Sequence, residues 1–247
     1  MESLRPDFDE ELQRLDAAVL NMGSLVTGML HDAMQSLIAQ DVKLAREVRE
    51  RDALANQFDD DIEDASVRLL ALQHPVAGDL RRVTSALKVI TDLERVGDYA
   101  TDIAKCTIAV AGQEYFKPLE DLPEMGRIVE GMLHDALKVY AGRDVVFGKQ
   151  VRDRDKEVDR IYKRVFSDII GWMERESSVV PQAAQLLLVA RYLERLGDHI
   201  KNVIERLAYA ETGSRRPWRS AEWKRAHGPA AADEPPLHEA EQVDHEE

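Results

Sequence analysis

Apolar side chains recur at Leu12, Leu15, Val19, Met22, Val26, Met29, Ala33 and Leu37, in steps that alternate between three and four. That spacing lays them along one stripe of an α-helix, the seam by which helices pack in bundles. It predicts a long first helix ending near Gln40. Asp41 is placed to cap a second helix, with Val48, Ala55, Phe58, Ile62, Ala65, Leu69 and Leu72 as its buried stripe. His74-Pro75-Val76-Ala77-Gly78 breaks that helix, because proline drives its predecessor out of the α region and glycine punctuates. Asp79 then caps a third helix, whose inner face carries Leu80, Val83, Leu87, Ile90, Leu93, Gly97, Ala100 and Ile103.

After Gly112 and Lys117-Pro118 the plan starts again. Asp121 is placed to cap a fourth helix with Pro123 in its first turn, where a missing N–H costs nothing. Asp144 caps a fifth, with Val151, Val158, Ile161, Val165, Ile169 and Trp172. A sixth begins near Ser178, with Pro181 in its opening turn, and runs to about Ala210. The sequence repeats as well as the helix count. Gly28-Met29-Leu30-His31-Asp32-Ala33 recurs letter for letter as Gly131 to Ala136, and Arg49-Glu50-Arg51-Asp52 recurs as Arg152-Asp153-Arg154-Asp155, both at an offset of 103. Leu93-Glu94-Arg95-Val96-Gly97-Asp98 recurs as Leu193 to Asp198 at an offset of 100. The missing three residues fall between the second and third helix of each half, where a loop can absorb them. The expectation is an all-α chain of six long helices in two repeated three-helix bundles, residues 1–112 and 113–212. Residues 213–247 lack periodicity and are rich in Ala, Pro, Glu and Asp, a composition that predicts disorder.

Composition agrees: 44% hydrophobic and 32% charged residues suit helices with wide solvated faces. A net charge of −14 argues against nucleic acid as a partner, since phosphate binding needs a basic footprint. A lone cysteine, Cys106, excludes an internal disulfide framework and a Cys-based zinc cage. No apolar run is long enough to span a membrane, and the first residues are too acidic and polar for a signal peptide. These observations imply a cytoplasmic protein without membrane insertion.

The candidate chemistry lies in the acids of the repeated segments. Glu94, Asp98 and Asp102 stand four apart on the third helix, and Glu194 and Asp198 repeat the pattern with Asn202 in the last place. Like charges at that spacing weaken a helix by ~0.2–0.5 kcal/mol per pair, so a counter-charge is implied. The second helix of each half offers matching oxygens: Asp52 with Asn56, and Asp155 with Asp159. Two readings stay open. Oxygen-only ladders facing one groove suit a divalent or trivalent cation such as Mg²⁺, Mn²⁺, Fe or Zn. Alternatively they are solvated faces neutralised by Arg95, Lys105, Arg195 and Lys201. Gly97 and Gly197 read as points of close helix approach, and His31 and His134 as surface or interface groups. No phosphate-cradling glycine loop, no Gly-x-Ser-x-Gly elbow and no Glu-x-x-His occurs, which speaks against an enzyme.

His74-Pro75-Val76-Ala77-Gly78-Asp79-Leu80-Arg81, then Lys88, then Asp92 to Asp98, resembles the motif of the PhoU family, as does Ala190-Arg191-Tyr192-Leu193-Glu194-Arg195-Leu196-Gly197-Asp198-His199. The likeness runs from about Phe8 to Ala210. It implies two PhoU-like bundles related by a pseudo-twofold axis, and a non-enzymatic cytoplasmic regulator of phosphate uptake and starvation signalling. Its implied partners are the ATPase subunit of the phosphate ABC importer, a phosphate-sensing histidine kinase and a second copy in a homodimer. The family's acidic motifs can hold multinuclear metal clusters, and their counterparts here are Glu94 with Asp98, Asp155 with Asp159, and Glu194 with Asp198. Asn56 and Asn202 depart from the acidic pattern, so the resemblance implies unequal occupancy of the two halves. A metal-free interaction module and a metal-dependent phosphohydrolase stand as alternatives.

Overall fold

A computed structural model describes residues 6–219 and residue 225. Among them the chain is helical, with α1 Pro6–Ala39, α2 Val42–Glu50, α3 Asp52–Gln73, α4 Ala77–Val110, α5 Asp121–Gly142, α6 Val145–Asp153, α7 Asp155–Arg175 and α8 Val180–Thr212. The six-helix plan holds, with the second helix of each half bent at one residue, Arg51 or Arg154, into α2/α3 and α6/α7.

The bend explains the letter-for-letter repeats. Arg51 donates to Asp32 at 2.5 Å, and Arg154 donates to Asp135 at 2.8 Å. Each arginine lies against the glycine of the Gly-Met-Leu-His-Asp-Ala segment, Gly28 or Gly131. The two repeated segments are thus the two sides of one joint. The joint makes Asp52 and Asp155 the first residues of α3 and α7, where the helix dipole favours a carboxylate.

Asp41 and Asp144 cap α2 and α6 as expected, each accepting two backbone N–H bonds at 2.9–3.0 Å. Other boundaries shift. The N-cap of α4 is Val76 rather than Asp79, which lies in the first turn, and that of α5 is Glu120 rather than Asp121. Leu72, Ala65 and Leu80 are exposed, while Ser66 is buried between Ile62 and Leu69. The stripe of α3 therefore runs Ala55, Ile62, Ser66, Leu69, turning away from the positions that simple spacing continued. The connection from α3 to α4 spans three residues, whereas Glu176 alone separates α7 from the 3₁₀ turn Ser177–Val179 that leads into α8.

The halves meet through antiparallel pairs, α4 against α8 and α1 against α5. Arg81 bonds to the Ala210 carbonyl, Tyr99 packs on Tyr192 at 5.6 Å, and Asp92 accepts from His199 and Asn202. On the other pair, Asp16 of α1 accepts from Tyr140, Arg143 and Arg82 at 2.7–2.9 Å. Gly23 gives way to Leu137, and Gly126 to Met34. One continuous apolar core spans both halves.

The composition of 213–247 predicts disorder, but residues 213–219 fold back onto the second half. Gly213, at φ 70°, ends α8 in the left-handed conformation that glycine adopts without cost. Trp218 is buried among Val139, Gly148 and Ile204, its indole N–H donating to the Val145 carbonyl at 3.3 Å and the Arg152 guanidinium lying 5.6 Å from the ring centre. One indole supplies enough apolar area and a directed donor to anchor a polar segment. The rest of that expectation falls outside the described residues.

Candidate functional site

Each half carries an acidic cleft between the start of its bent helix and the middle of the long helix packed on it. In the first, Asp52 and Asp59 of α3 face Glu94 and Asp98 of α4. Burial raises the Glu94 pKa, Asp98 raises it further, Arg95 works against this, and Asp59 and Asp52 add to it. Asp59 is likewise held above the usual carboxylate range by burial and by Glu63 and Asp60. Its inner oxygen Oδ1 is buried without a hydrogen-bond partner. Arg95, half-exposed, reaches Asp98 at 2.7 Å and Glu94 at 3.4 Å from the rim.

In the second cleft Asp155 and Asp159 of α7 face Glu194 and Asp198 of α8. Asp155 is only 5% exposed and its Oδ1 has no hydrogen-bond partner. Its other oxygen accepts from the Lys201 ammonium at 2.6 Å, and Lys201 also donates to Asp198 at 2.7 Å. Burial opposes a charge on Lys201, but its bonds to Asp155 and Asp198 outweigh that and hold its pKa above the ordinary lysine value. Burial, then Asp155, lifts the Asp159 carboxyl, with Lys201 opposing. Glu194 pairs with Arg191 at 3.0 Å.

Of the eight acids singled out, the structure brings together Asp52, Glu94 and Asp98 in one cleft and Asp155, Asp159, Glu194 and Asp198 in the other. It does not bring in Asp102. A step of four residues turns a helix 40° past a full circle, so two such steps leave the groove, whereas a step of seven falls only 20° short. The position that stays in the cleft is therefore 101 or 201. Thr101 bonds to Asp52 at 3.2 Å, while Asp102 pairs with Lys105 at 2.8 Å. From there Asp102 adds to the effect of burial that pushes the Cys106 thiol up to about 11. Asn202, its counterpart, turns to Asp92 on α4. The same step of seven from Asp52 reaches Asp59, a cleft residue that spacing by four passes over, and Asn56 is exposed.

Among the described residues no group of three or more His, Cys, Asp and Glu side chains is arranged to hold a metal ion. The donor chemistry still separates the clefts. Both hold an orphaned buried oxygen, Asp59 Oδ1 or Asp155 Oδ1, but in the first the neighbouring acids raise the Glu94 pKa with no ammonium between them, an oxygen-only set of the kind hard cations prefer. In the second, a lysine ammonium already lies between the acids.

The glycines differ too. A Cβ at Gly97 would meet Ala55 and Val26 at an ordinary 3.5 Å, but one at Gly197 would stand 2.6 Å from Asp155 Oδ1. Gly97 and Gly197 are both points of close approach, and the second makes room for a carboxylate. Tyr99 and His199 meet each other across the α4–α8 seam at 5.8 Å. His31 is exposed and contacts Glu130 of the other half at 3.0 Å, and His134 is exposed.

The PhoU domain model matches residues 19–107 and 122–207, one match in each half. A phosphate-specific transport system accessory protein PhoU homolog from Clostridium acetobutylicum is 37% identical over 85% of this chain and 96% of that protein. A homolog of the same description from Zymomonas mobilis is 34% identical over 86% and 90%. The crystal structure of PhoU from Pseudomonas aeruginosa superposes with a TM-score of 0.82 at 34% identity, covering 84% of this chain and all of that one. The phosphate transport system regulatory protein PhoU from Streptococcus pneumoniae gives 0.79, also at 34% identity, over 84% and 98%. With both repeats matched and relatives covered nearly end to end, the chain belongs to the PhoU family.

Proposed function

We propose that this chain is a non-enzymatic accessory regulator of phosphate-specific transport, a cytoplasmic helical adaptor that restrains the phosphate ABC importer and a phosphate-sensing histidine kinase when phosphate is plentiful. One observation carries this reading: the correspondence with proteins named for that accessory role covers both repeats and nearly the whole of each relative. No helix among the described residues is long and apolar enough to cross a membrane, which fits a protein that docks on membrane components. The importer's ATPase subunit is the proposed direct contact, with the chain self-associating as a homodimer. Loss of the protein should leave a phosphate-starvation reporter switched on in phosphate-rich medium, and the immobilised chain should retain the purified ATPase subunit. A reporter that stays repressed, with no retention, would remove the proposal.

The first cleft is the proposed cation site, with Asp52, Asp59, Glu94 and Asp98 as its oxygen donors. A bound divalent or trivalent ion would offset their mutual repulsion and leave a positive centre on the adaptor surface. Binding to the folded state alone stabilises by about 2.7 kcal/mol at a hundredfold excess over Kd. Mn²⁺ should therefore raise the thermal midpoint of the wild-type chain and leave that of Asp98→Asn unmoved. A metal-free interaction module is favoured by the existing Arg95–Asp98 pair. It predicts no shift in either protein.

A further inference from the structure

The second cleft does not fit a metal in the way the first does, and the residue responsible is Lys201. It stands one hundred positions after Thr101, at the place on α8 that faces the start of the bent helix. Thr101 contributes a neutral hydroxyl there, whereas Lys201 brings an ammonium to 2.6 Å from Asp155 and 2.7 Å from Asp198. A tethered ammonium among carboxylates supplies the positive charge that a cation would supply, and it repels a second cation at that range. We infer that Lys201 is a built-in cation that takes the place of metal in the second cleft, so that metal binding by this chain is confined to the first. This rests on reading the first cleft as a cation site.

Two further features show that the second cleft keeps a ligand-like frame around the lysine. Asp155 is nine-tenths buried, with Oδ1 lacking a partner and turned toward α8. Gly197 leaves the space that this oxygen occupies, since a Cβ would fall within 2.6 Å of it. Removing the ammonium leaves Asp155, Asp159, Glu194 and Asp198 without the cation that bridges α7 to α8. A divalent ion bound among these four carboxylates would more than replace the single positive charge removed.

The test is equilibrium dialysis of the full chain against Mn²⁺, with thermal unfolding of the same samples. Wild-type binding should be lost in Asp98→Asn and kept in Asp198→Asn. Lys201→Thr, which copies the first half, should melt lower than wild type without metal. It should bind at least one more Mn²⁺ per chain than wild type and recover stability when Mn²⁺ is added, and both gains should disappear in Lys201→Thr/Asp155→Asn. Lys201→Gln serves if the threonine variant does not fold. Wild-type binding that depends on Asp198, or a folded Lys201 variant that gains no Mn²⁺, overturns the inference. If wild type binds none while Lys201→Thr binds Mn²⁺ through Asp155, the reading of the first cleft fails and the role of Lys201 stands.

Discussion

In the first cleft the groove-facing side chain beyond Asp98 is Thr101, and in the second, beyond Asp198, it is Lys201. Everything that positions these two residues is shared: the Arg51–Asp32 and Arg154–Asp135 joints, an aspartate opening α3 or α7, and a glycine on the facing helix. Within a duplicated frame, the change from Thr101 to Lys201, beside the differing acids Asp59 and Asp159, alters how the charge is balanced. The first cleft keeps its acids close with an arginine only at the rim, and each cleft leaves one buried oxygen, Asp59 Oδ1 or Asp155 Oδ1, without a partner. The second ties α7 to α8 through an internal ion pair. A duplicated architecture can keep its geometry in both copies while assigning the electrostatic burden differently, because the joint is set by packing and the counter-charge by a single side chain.

The largest effect should come from removing that side chain. Lys201→Met strands Asp155 in a buried position, and breaking one side of a buried pair costs about 3 kcal/mol or more. Thr101→Val removes only a hydroxyl bond to Asp52, worth about 1 kcal/mol. Urea unfolding of the two variants measures the difference directly, and equal losses would dissolve the contrast between the clefts.

A smaller effect separates the glycines. Gly197→Ala should destabilise by about 1–3 kcal/mol, as overpacking does, because the new methyl displaces Asp155 from Lys201. Gly97→Ala has room and should be neutral or stabilise by up to ~1 kcal/mol through helix propensity. Paired melting curves in metal-free buffer check this, and a Gly197→Ala protein as stable as wild type would show that Asp155 adjusts freely.

Much of the fold was legible in the chain. The three-and-four stripes of α1, α4 and α8 extend over many turns, so periodicity outweighs local noise, and Asp41 and Asp144 cap by bonds to neighbouring N–H groups that sequence spacing already implies. The repeats at offsets of 103 and 100 placed the duplication and the loop that absorbs the difference. The break at Arg51 and Arg154 was hidden, since each arginine finds its partner on another helix rather than nearby in sequence. The stripe on α3 was misread at Ala65 and Leu72 because α3 packs at an angle that only its neighbours decide. Trp218 looked like part of a polar tail because its groove is made by α5, α6 and α8 together.

The acids of the clefts were visible as residues, and their grouping in part. Helical spacing alone selected Glu94, Asp98 and Asp102, yet a groove on a 3.6-residue helix follows the step of seven, which brings in Thr101 and Asp59 and leaves Asp102 outside. Lys201 could be seen as a neighbour of Asp198 three residues away. That it also reaches Asp155, forty-six residues earlier, depended on how α7 lies against α8. The sequence by itself determined helices, duplication, family and the supply of charge, because these are written in local periodicity and composition. Only the tertiary structure decided which cleft is already balanced by its own cation, because the energy of a charge depends on which groups share its low-dielectric surroundings, and those come from different helices.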